Sequence, residues 1–268
     1  MDNLAREAAH SLTLLKNRGP LIHNITNFVV MNFTANVLLA AGASPVMAHA
    51  EDEVEEMVSL ASALVLNLGT LSSSWVRAMV KAAEKARFLG IPIVLDPVGA
   101  GATRLRTDSA KIIAEKIGVS VIRGNSSEIL SLATGGYSTK GVDALHDVDE
   151  AGEVARKLAE DLGTTIAITG EVDLVTDGKR VVRVANGHPM MPVVTGTGCA
   201  ATAVIGAFAA VGDDPLAAAA GGLACFGLAG EKAAAVAKGP ASFAVALIDS
   251  LFGLTEDELL QGARIVEG

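Results

Sequence analysis

Short apolar, β-branched runs recur along the chain, and the stretches between them carry apolar residues at helical spacing. The runs are PLIHNI (20–25), ALVLNL (63–68), PIVLD (92–96), VSVIRG (119–124) and TTIAIT (164–169). Between them, NFVVMNFTANVLLAAG (27–42), EDEVEEMVSLAS (51–62) and SSSWVRAMVKAAEKARFLG (72–90) repeat apolar positions with a period near 3.6. Ser72, Ser73 or Ser74 supplies an N-cap for the last of these. This alternation predicts an α/β fold, a mostly parallel central sheet with helices on both faces. After Thr169 the pattern changes to DLVTDGKRVVRV, two strand-like runs turning at Asp177-Gly178, which predicts an antiparallel addition. From Gly196 onward the chain reads as almost wholly helical, with breaks at GDDP (212–215), KGPA (238–241) and GLTEDE (253–258). No low-complexity linker divides it, so residues 1–268 are expected to form one domain.

Half of the 268 residues are hydrophobic but only 3% are aromatic, so the core must be built from Ala, Val, Leu and Ile. A net charge of −9 argues against general binding to nucleic acid or to anionic membranes, since both need a positive footprint. Any phosphate ligand must therefore be held locally. Trp75 and Tyr137 are isolated, which gives no stacking platform for bases. Two cysteines, Cys199 and Cys225, make no disulfide framework, and a reducing cytoplasm is the expected location. The start, MDNLAREAAHSLTLLKNRG, lacks the apolar block of a signal peptide. PLAAAAGGLACFGLAG (215–230) is too short for a membrane span and reads as a buried helix. No HExxH motif or Cys/His cluster points to structural zinc, and the acidic EDEVEE run (51–56) reads as a solvated helix face.

One segment asks for chemistry. In VVTGTGCAATAVIGAF (193–208), an apolar β-prone pair leads through Gly196, Thr197 and Gly198 into a small-residue helix that starts at Cys199. Backbone N–H groups at such a junction lack partners and face a favourable helix dipole, so the loop is an anion site by geometry. A tight strand-to-helix turn would use the same glycines, and Cys199 would equally serve as a small buried filler. The letters also fit the loose dinucleotide pattern G-x-G-x-x-A. Its context does not: Asp213 and Asp214 lead into more helix, not out of a second strand. No G-x-x-x-x-G-K-[ST] loop occurs.

A late GTG loop opening a helix of small residues, behind βα repeats, resembles the ribokinase-like small-molecule kinases. Together with HNITNFVVMNFTANVLLAAGASPVMAHAEDE (23–53), LVLNLGTL (64–71), VLDPVGAGATRLR (94–106), IRGNSSEI (122–129) and ITGEVDLVTDG (168–178), it is similar to the hydroxyethylthiazole kinases. The superfamily usually places an aspartate base after the last glycine; these kinases, like this chain, carry cysteine there. The resemblance implies a ribokinase-like three-layer sandwich that transfers the γ-phosphoryl group of ATP, with Mg²⁺, to the hydroxyl of a thiazole alcohol for thiamine synthesis or salvage. It also implies a homotrimer with thiazole sites between subunits.

It assigns roles residue by residue. Cys199 meets the acceptor hydroxyl, and Gly196, Thr197 and Gly198 form the anion hole. Asp96 and Glu128 hold the metal, Glu128 lying in an N-x-x-E motif with Asn125. Arg123 and Thr169 bind ATP, while Met47, Asn27 and Gly196 line the acceptor pocket. On local sequence alone, Asp96 would also suit a turn before Pro97, and Glu128 a helix start favoured by the dipole. Arg123 would suit the surface, Thr169 a strand end, Met47 the core and Asn27 a helix cap. An ordinary thiol is only about 3% thiolate at pH 7. A helix N-terminus would lower the Cys199 pKa and a neighbouring triphosphate would raise it. Three rivals carry the same motifs: a kinase for another small alcohol such as hydroxymethylpyrimidine, a non-catalytic nucleotide or thiazole sensor, and an ATP-dependent dehydratase.

Overall fold

A computed structural model describes residues 3–134 and 148–268, so Tyr137 lies outside the described residues. Helix α1 (Asn3–Arg18) precedes β1 (Leu21–Ile25), α2 (Met31–Ala41), β2 (Ser44–Val46), α3 (Val54–Leu60), β3 (Ala63–Asn67), α4 (Ser73–Leu89) and β4 (Ile93–Asp96). Next come α5 (Arg104–Lys111), extended by a π-helical turn, then β5 (Val121–Gly124), α6 (Ser126–Thr134), α7 (Val148–Leu162) and β6 (Thr165–Ile168). Strands β7 (Asp173–Thr176) and β8 (Val181–Val184) form the expected hairpin. Helices α8 (Thr197–Ala209), α9 (Pro215–Val236), α10 (Pro240–Gly253) and α11 (Glu256–Gly262) lead to β9 (Ile265–Glu267).

Among the described residues, nine strands lie in one sheet of order β2-β1-β3-β4-β5-β6-β7-β8-β9. The first six are mutually parallel and the last three antiparallel. Because side chains alternate along a strand, the strand residues divide between two cores. Ala63, Val65, Val94, Val121 and Ala167 face α1, α2, α8, α9 and α10. Leu64, Leu66, Ile93, Leu95, Ile122, Ile166 and Ile168 face α3, α4, α6 and α7. Continuous apolar runs were needed because both faces are covered.

Local signals set the boundaries. Ser72 caps α4 by accepting from the Trp75 N–H at 3.3 Å, and Asp214 caps α9 ahead of Pro215 by accepting from Leu216 at 3.1 Å. The hairpin turn spans four residues, held by Asp177 Oδ1, which accepts from the N–H groups of Lys179 and Arg180 at 2.9 and 2.7 Å. Two strands differ from the pattern reading. β2 is a three-residue edge strand containing Pro45, tolerated because an edge position need not supply every N–H. β9 closes the other edge where only helix was expected. The apolar pair Val193-Val194 is no strand: a 3₁₀ turn over Met191–Val193, with Pro192 inside it, brings the chain to the glycine loop. Among the described residues, no helix is long and apolar enough to cross a membrane.

Candidate active site

The carboxyl ends of the parallel strands gather polar residues along one edge, where open α/β sheets bind ligands. Asn27 follows β1, Met47 follows β2, Asn67 ends β3, Asp96 ends β4, Arg123 sits near the end of β5 and Thr169 follows β6. Helix α8 starts above them.

The glycine loop has the anticipated shape. Gly196 is the N-cap of α8 with φ of 93°, a left-handed conformation that favours glycine. Gly198 has a different reason: a Cβ there would come 2.9 Å from Arg123 Nη1, so the missing side chain lets the guanidinium lie against the loop. The first N–H groups of α8, including those of Gly198 and Cys199, have no intrahelical acceptor and stay available to an anion. Thr197 Oγ1 is spent inside the loop, donating to the carbonyl of Met191 at 2.9 Å.

Asp96 is almost fully buried, and its side chain caps no turn. Oδ2 accepts from Asn67 Nδ2 at 2.7 Å and from Thr202 Oγ1 at 2.9 Å, and lies 3.8 Å from Arg123 Nη1. Oδ1 is buried without a partner, as is Nε of Arg123. Burial pushes the Asp96 pKa up to about 6, and the charge of Glu128 adds to this, against the pull of Arg123, Thr202 and Asn67. Arg123 also donates to Thr169 Oγ1, which fixes the guanidinium between Asp96 and the loop.

Cys199 is a free thiol, half-buried beside both asparagines. Asn27 Nδ2 lies 3.6 Å from its Sγ. The sequence left the Cys199 pKa open between a lowering helix N-terminus and a raising triphosphate; in the fold, burial and the charge of Asp96 raise it to about 11, outweighing Asn67, Arg123 and Asn27. The resting thiol is protonated at neutral pH. Asn27 caps no helix. Its Oδ1 accepts from Val29 in a local turn while its amide donates to Asn67 Oδ1 at 2.8 Å.

Glu128 has structural work as well. Its Oε1 accepts from the Gly99 N–H at 2.8 Å and its Oε2 from Asn125 at 2.9 Å, while Asn125 Oδ1 accepts in return from the Glu128 N–H at 2.9 Å. The N-x-x-E motif is thus a reciprocal helix cap that also grips the loop after β4, close enough to Asp96 for its charge to be felt. Hydrogen bonds join Asn27, Asn67, Asp96, Thr202 and Cys199, and the 3.8 Å ion pair of Arg123 with Asp96 ties in Arg123 and its partner Thr169; Met47 and Glu128 flank this network. Met47 is half-buried, on a segment pinned by His23 Nε2 to the carbonyl of Ala48 at 2.7 Å. There His49 stacks on Trp75 with ring centroids 4.2 Å apart, so that tryptophan is not isolated in space.

Beside Arg123 and Thr169 opens a cavity of about 770 Å³, whose wall also includes Asp173, His188, Thr197 and Phe226. Its volume and mixed lining suit a nucleotide-sized ligand. A larger cleft of about 1030 Å³ lies at the opposite, amino-terminal end of the strands, far from this chemistry. Two residues of the network, Asn67 and Thr202, and Asp173 on the cavity wall escaped the pattern reading. Asn67 had a usable signal, a polar residue ending a buried strand just as Asp96 does.

Residues 12–257 match the hydroxyethylthiazole kinase family. A hydroxyethylthiazole kinase of Desulfotalea psychrophila is 59% identical over 267 residues, spanning 100% of this chain and 98% of the relative. The solved structure of a hydroxyethylthiazole kinase from Pyrococcus horikoshii superposes with a TM-score of 0.90 at 49% identity, covering 97% of this chain and 98% of that one. A ribokinase-like superfamily protein of Enterococcus faecalis, at 14% identity and a TM-score of 0.65 over 92% of this chain and 95% of its own, shares the fold. With glycine loop, strand-end acid and matching relatives along the whole chain, this protein belongs to the hydroxyethylthiazole kinase family.

Proposed function

We propose that the chain transfers the γ-phosphoryl group of ATP to the hydroxyl of 4-methyl-5-(2-hydroxyethyl)thiazole, a step of thiamine synthesis or salvage. The observation that carries this reading is the junction of an anion-binding loop and a buried acid with a neutral thiol, beside a nucleotide-sized cavity. Phosphoryl transfer depends on positioning and charge stabilisation. The N–H groups at Gly198 and Cys199 and the guanidinium of Arg123 would hold the transferring group, and Thr169 keeps Arg123 in position. Gly196, Met47 and Asn27 would line the acceptor pocket, where a thioether suits a sulfur-containing ring.

Cys199 is too weak an acid to stand as a thiolate. With the proton already on sulfur, the thiol orients the alcohol by a hydrogen bond, and the hydroxyl proton leaves late, once its oxygen has begun to bond to phosphorus, passing to an oxygen of the transferred phosphoryl group. Asp96 and Glu128 fit Mg²⁺, which takes one or two carboxylates and fills its sphere with water and phosphate oxygens. Oδ1 of Asp96, buried and unpartnered, is the oxygen suited to it. When bound, the ion would neutralise triphosphate charge.

Residues 1–268 form one kinase domain on this reading, in keeping with the single sheet. A cytoplasmic homotrimer with thiazole sites between subunits accords with the two free thiols and with Phe28 and Val29, exposed immediately after Asn27. The test is mass-spectrometric product detection from ATP, Mg²⁺ and a panel of alcohols including hydroxymethylpyrimidine. Phosphorylated thiazole, lost on chelation, supports the proposal. Phosphate release without a phosphorylated acceptor, or ligand stabilisation without turnover, would replace it.

A further inference from the structure

We infer that Asn67 is a positioning residue that registers the acceptor half of the site against the metal half through one buried amide. The inference rests on the kinase reading above. Asn67 is 1% exposed and spends each side-chain atom on a different part of the site. Nδ2 donates to Asp96 Oδ2 at 2.7 Å, while Oδ1 accepts from Asn27 Nδ2 at 2.8 Å and from the N–H of Gly69 at 3.0 Å. The Gly69 bond fixes which end of the amide is oxygen, because a backbone N–H can only donate. The NH₂ must then face Asp96.

Two consequences follow from that polarity. At Asp96, Asn67 and Thr202 both occupy Oδ2, so the carboxylate is held with Oδ1 as its free oxygen. At the other end, Oδ1 of Asn67 holds the Asn27 amide beside the Cys199 sulfur. A displacement of either half would be passed to the other through a rigid side chain with two torsions. In-line transfer needs that register, since small misplacements of reacting groups cost large factors in rate. Gly69 belongs to the same device: a Cβ there would fall 2.5 Å from Asn27 Nδ2.

The neighbours differ in reach, and this makes the inference testable. Thr202 bonds to Asp96 and to the carbonyl of Gly198 in the anion loop, touching the metal and phosphate side but not Asn27. Asn27 touches the acceptor side. The experiment compares Asn67→Leu, Thr202→Val and Asn27→Ala, measuring kcat together with calorimetric affinity for Mn²⁺ with a non-hydrolysable ATP analogue and, separately, for the thiazole alcohol. Thr202→Val should weaken metal-nucleotide binding about 3- to 10-fold and leave thiazole binding unchanged; Asn27→Ala should do the reverse. Asn67→Leu should weaken both and lower kcat about 10²-fold at saturation, with a far-ultraviolet spectrum like that of the wild type. Asn67→Ser, too short to bridge Asp96 and Asn27, replaces the leucine variant if that one fails to fold. An Asn67 variant that moves only one affinity, or keeps kcat within about 3-fold, overturns the registering role. Wild-type turnover is measured first, so a chain that does not phosphorylate the thiazole refutes the kinase reading separately.

Discussion

The amide of Asn27 reaches to 3.6 Å from the Cys199 sulfur across 172 positions of sequence, joining the loop after β1 to the first turn of α8. A thiol that only filled space would need no such donor. This pairing holds the Cys199 sulfur in place, and its functional and packing roles predict different substitutions. Cys199→Ala should lose at least about 10²-fold in turnover while ATP binding, read by calorimetry, stays near wild type. Cys199→Asp should stay active, because it restores the aspartate usual in the superfamily. Full activity in the alanine variant with an inactive aspartate variant would leave Cys199 as packing.

The same thiol can be titrated directly. With its pKa near 11, the thiolate fraction rises about tenfold per pH unit through the neutral range. Iodoacetamide labelling of Cys199, followed by peptide mass spectrometry, should therefore accelerate from pH 7 to pH 9.5 without a plateau. Cys225, fully buried with its pKa pushed up to about 12, should stay unlabelled in the folded protein. An inflection near pH 7 would mean that the helix N-terminus dominates after all.

Arg123 and Met47 sit on opposite flanks of the network, one between Asp96 and Thr169, the other after β2. Arg123→Ala should raise KM for ATP about tenfold or more, since it removes charged donors from the loop. Met47→Ala should mainly raise KM for the thiazole. Initial-rate kinetics with each substrate varied separately checks the split, and the reverse pattern would exchange the two assignments.

Glu128→Gln should show two effects, because both carboxylate oxygens accept backbone N–H groups. A glutamine keeps one acceptor and turns an NH₂ toward the other N–H, so the loop after β4 loses about 1–3 kcal/mol of support. Thermal unfolding should register that loss, and the Mg²⁺ needed for half-maximal rate should rise. A stability loss with unchanged metal demand would make Glu128 a loop clamp only.

The layered architecture was legible because both sheet faces are covered, which forces continuous apolar runs on strands such as Ala63–Asn67 and a 3.6-residue period on the helices against them. The edge strand β2 was not, because three residues with a proline carry no period. Asp96 and Arg123 could be placed by the rule that ligands gather at strand ends, and the glycine loop by the helix start it opens, although the strand expected before it is a 3₁₀ turn. The thiol's protonation state could not, since it depends on burial and on Asp96, 103 positions away in the chain. Asn67 and Thr202 were hidden for a related reason: a buried amide or hydroxyl looks like any other until its partner across the fold is known.

Asp173 offers a prediction of opposite character, in which a change near the site should stabilise the protein. It begins β7 on the wall of the nucleotide-sized cavity, and burial raises its pKa from 3.8 to about 6 despite the Gly170 N–H it accepts at 3.0 Å and the charge of Arg123. The folded state therefore holds this proton more tightly than the unfolded chain, and stability falls with pH wherever the native state binds more protons. Asp173's favourable contribution is complete below about pH 4 and is lost as pH rises through 6. Two pKa units set its ionisation cost at pH 7.5 at up to about 3 kcal/mol. Asp173→Asn keeps an oxygen for Gly170 and removes the ionisable group. Urea unfolding should find the variant more stable than the wild type at pH 7.5, with the gap closing toward pH 4. Asp96, shifted in the same direction, is present in both proteins, so the difference isolates Asp173. A gap of constant size across that range would mean that the carboxylate is ionised as easily in the fold as in water.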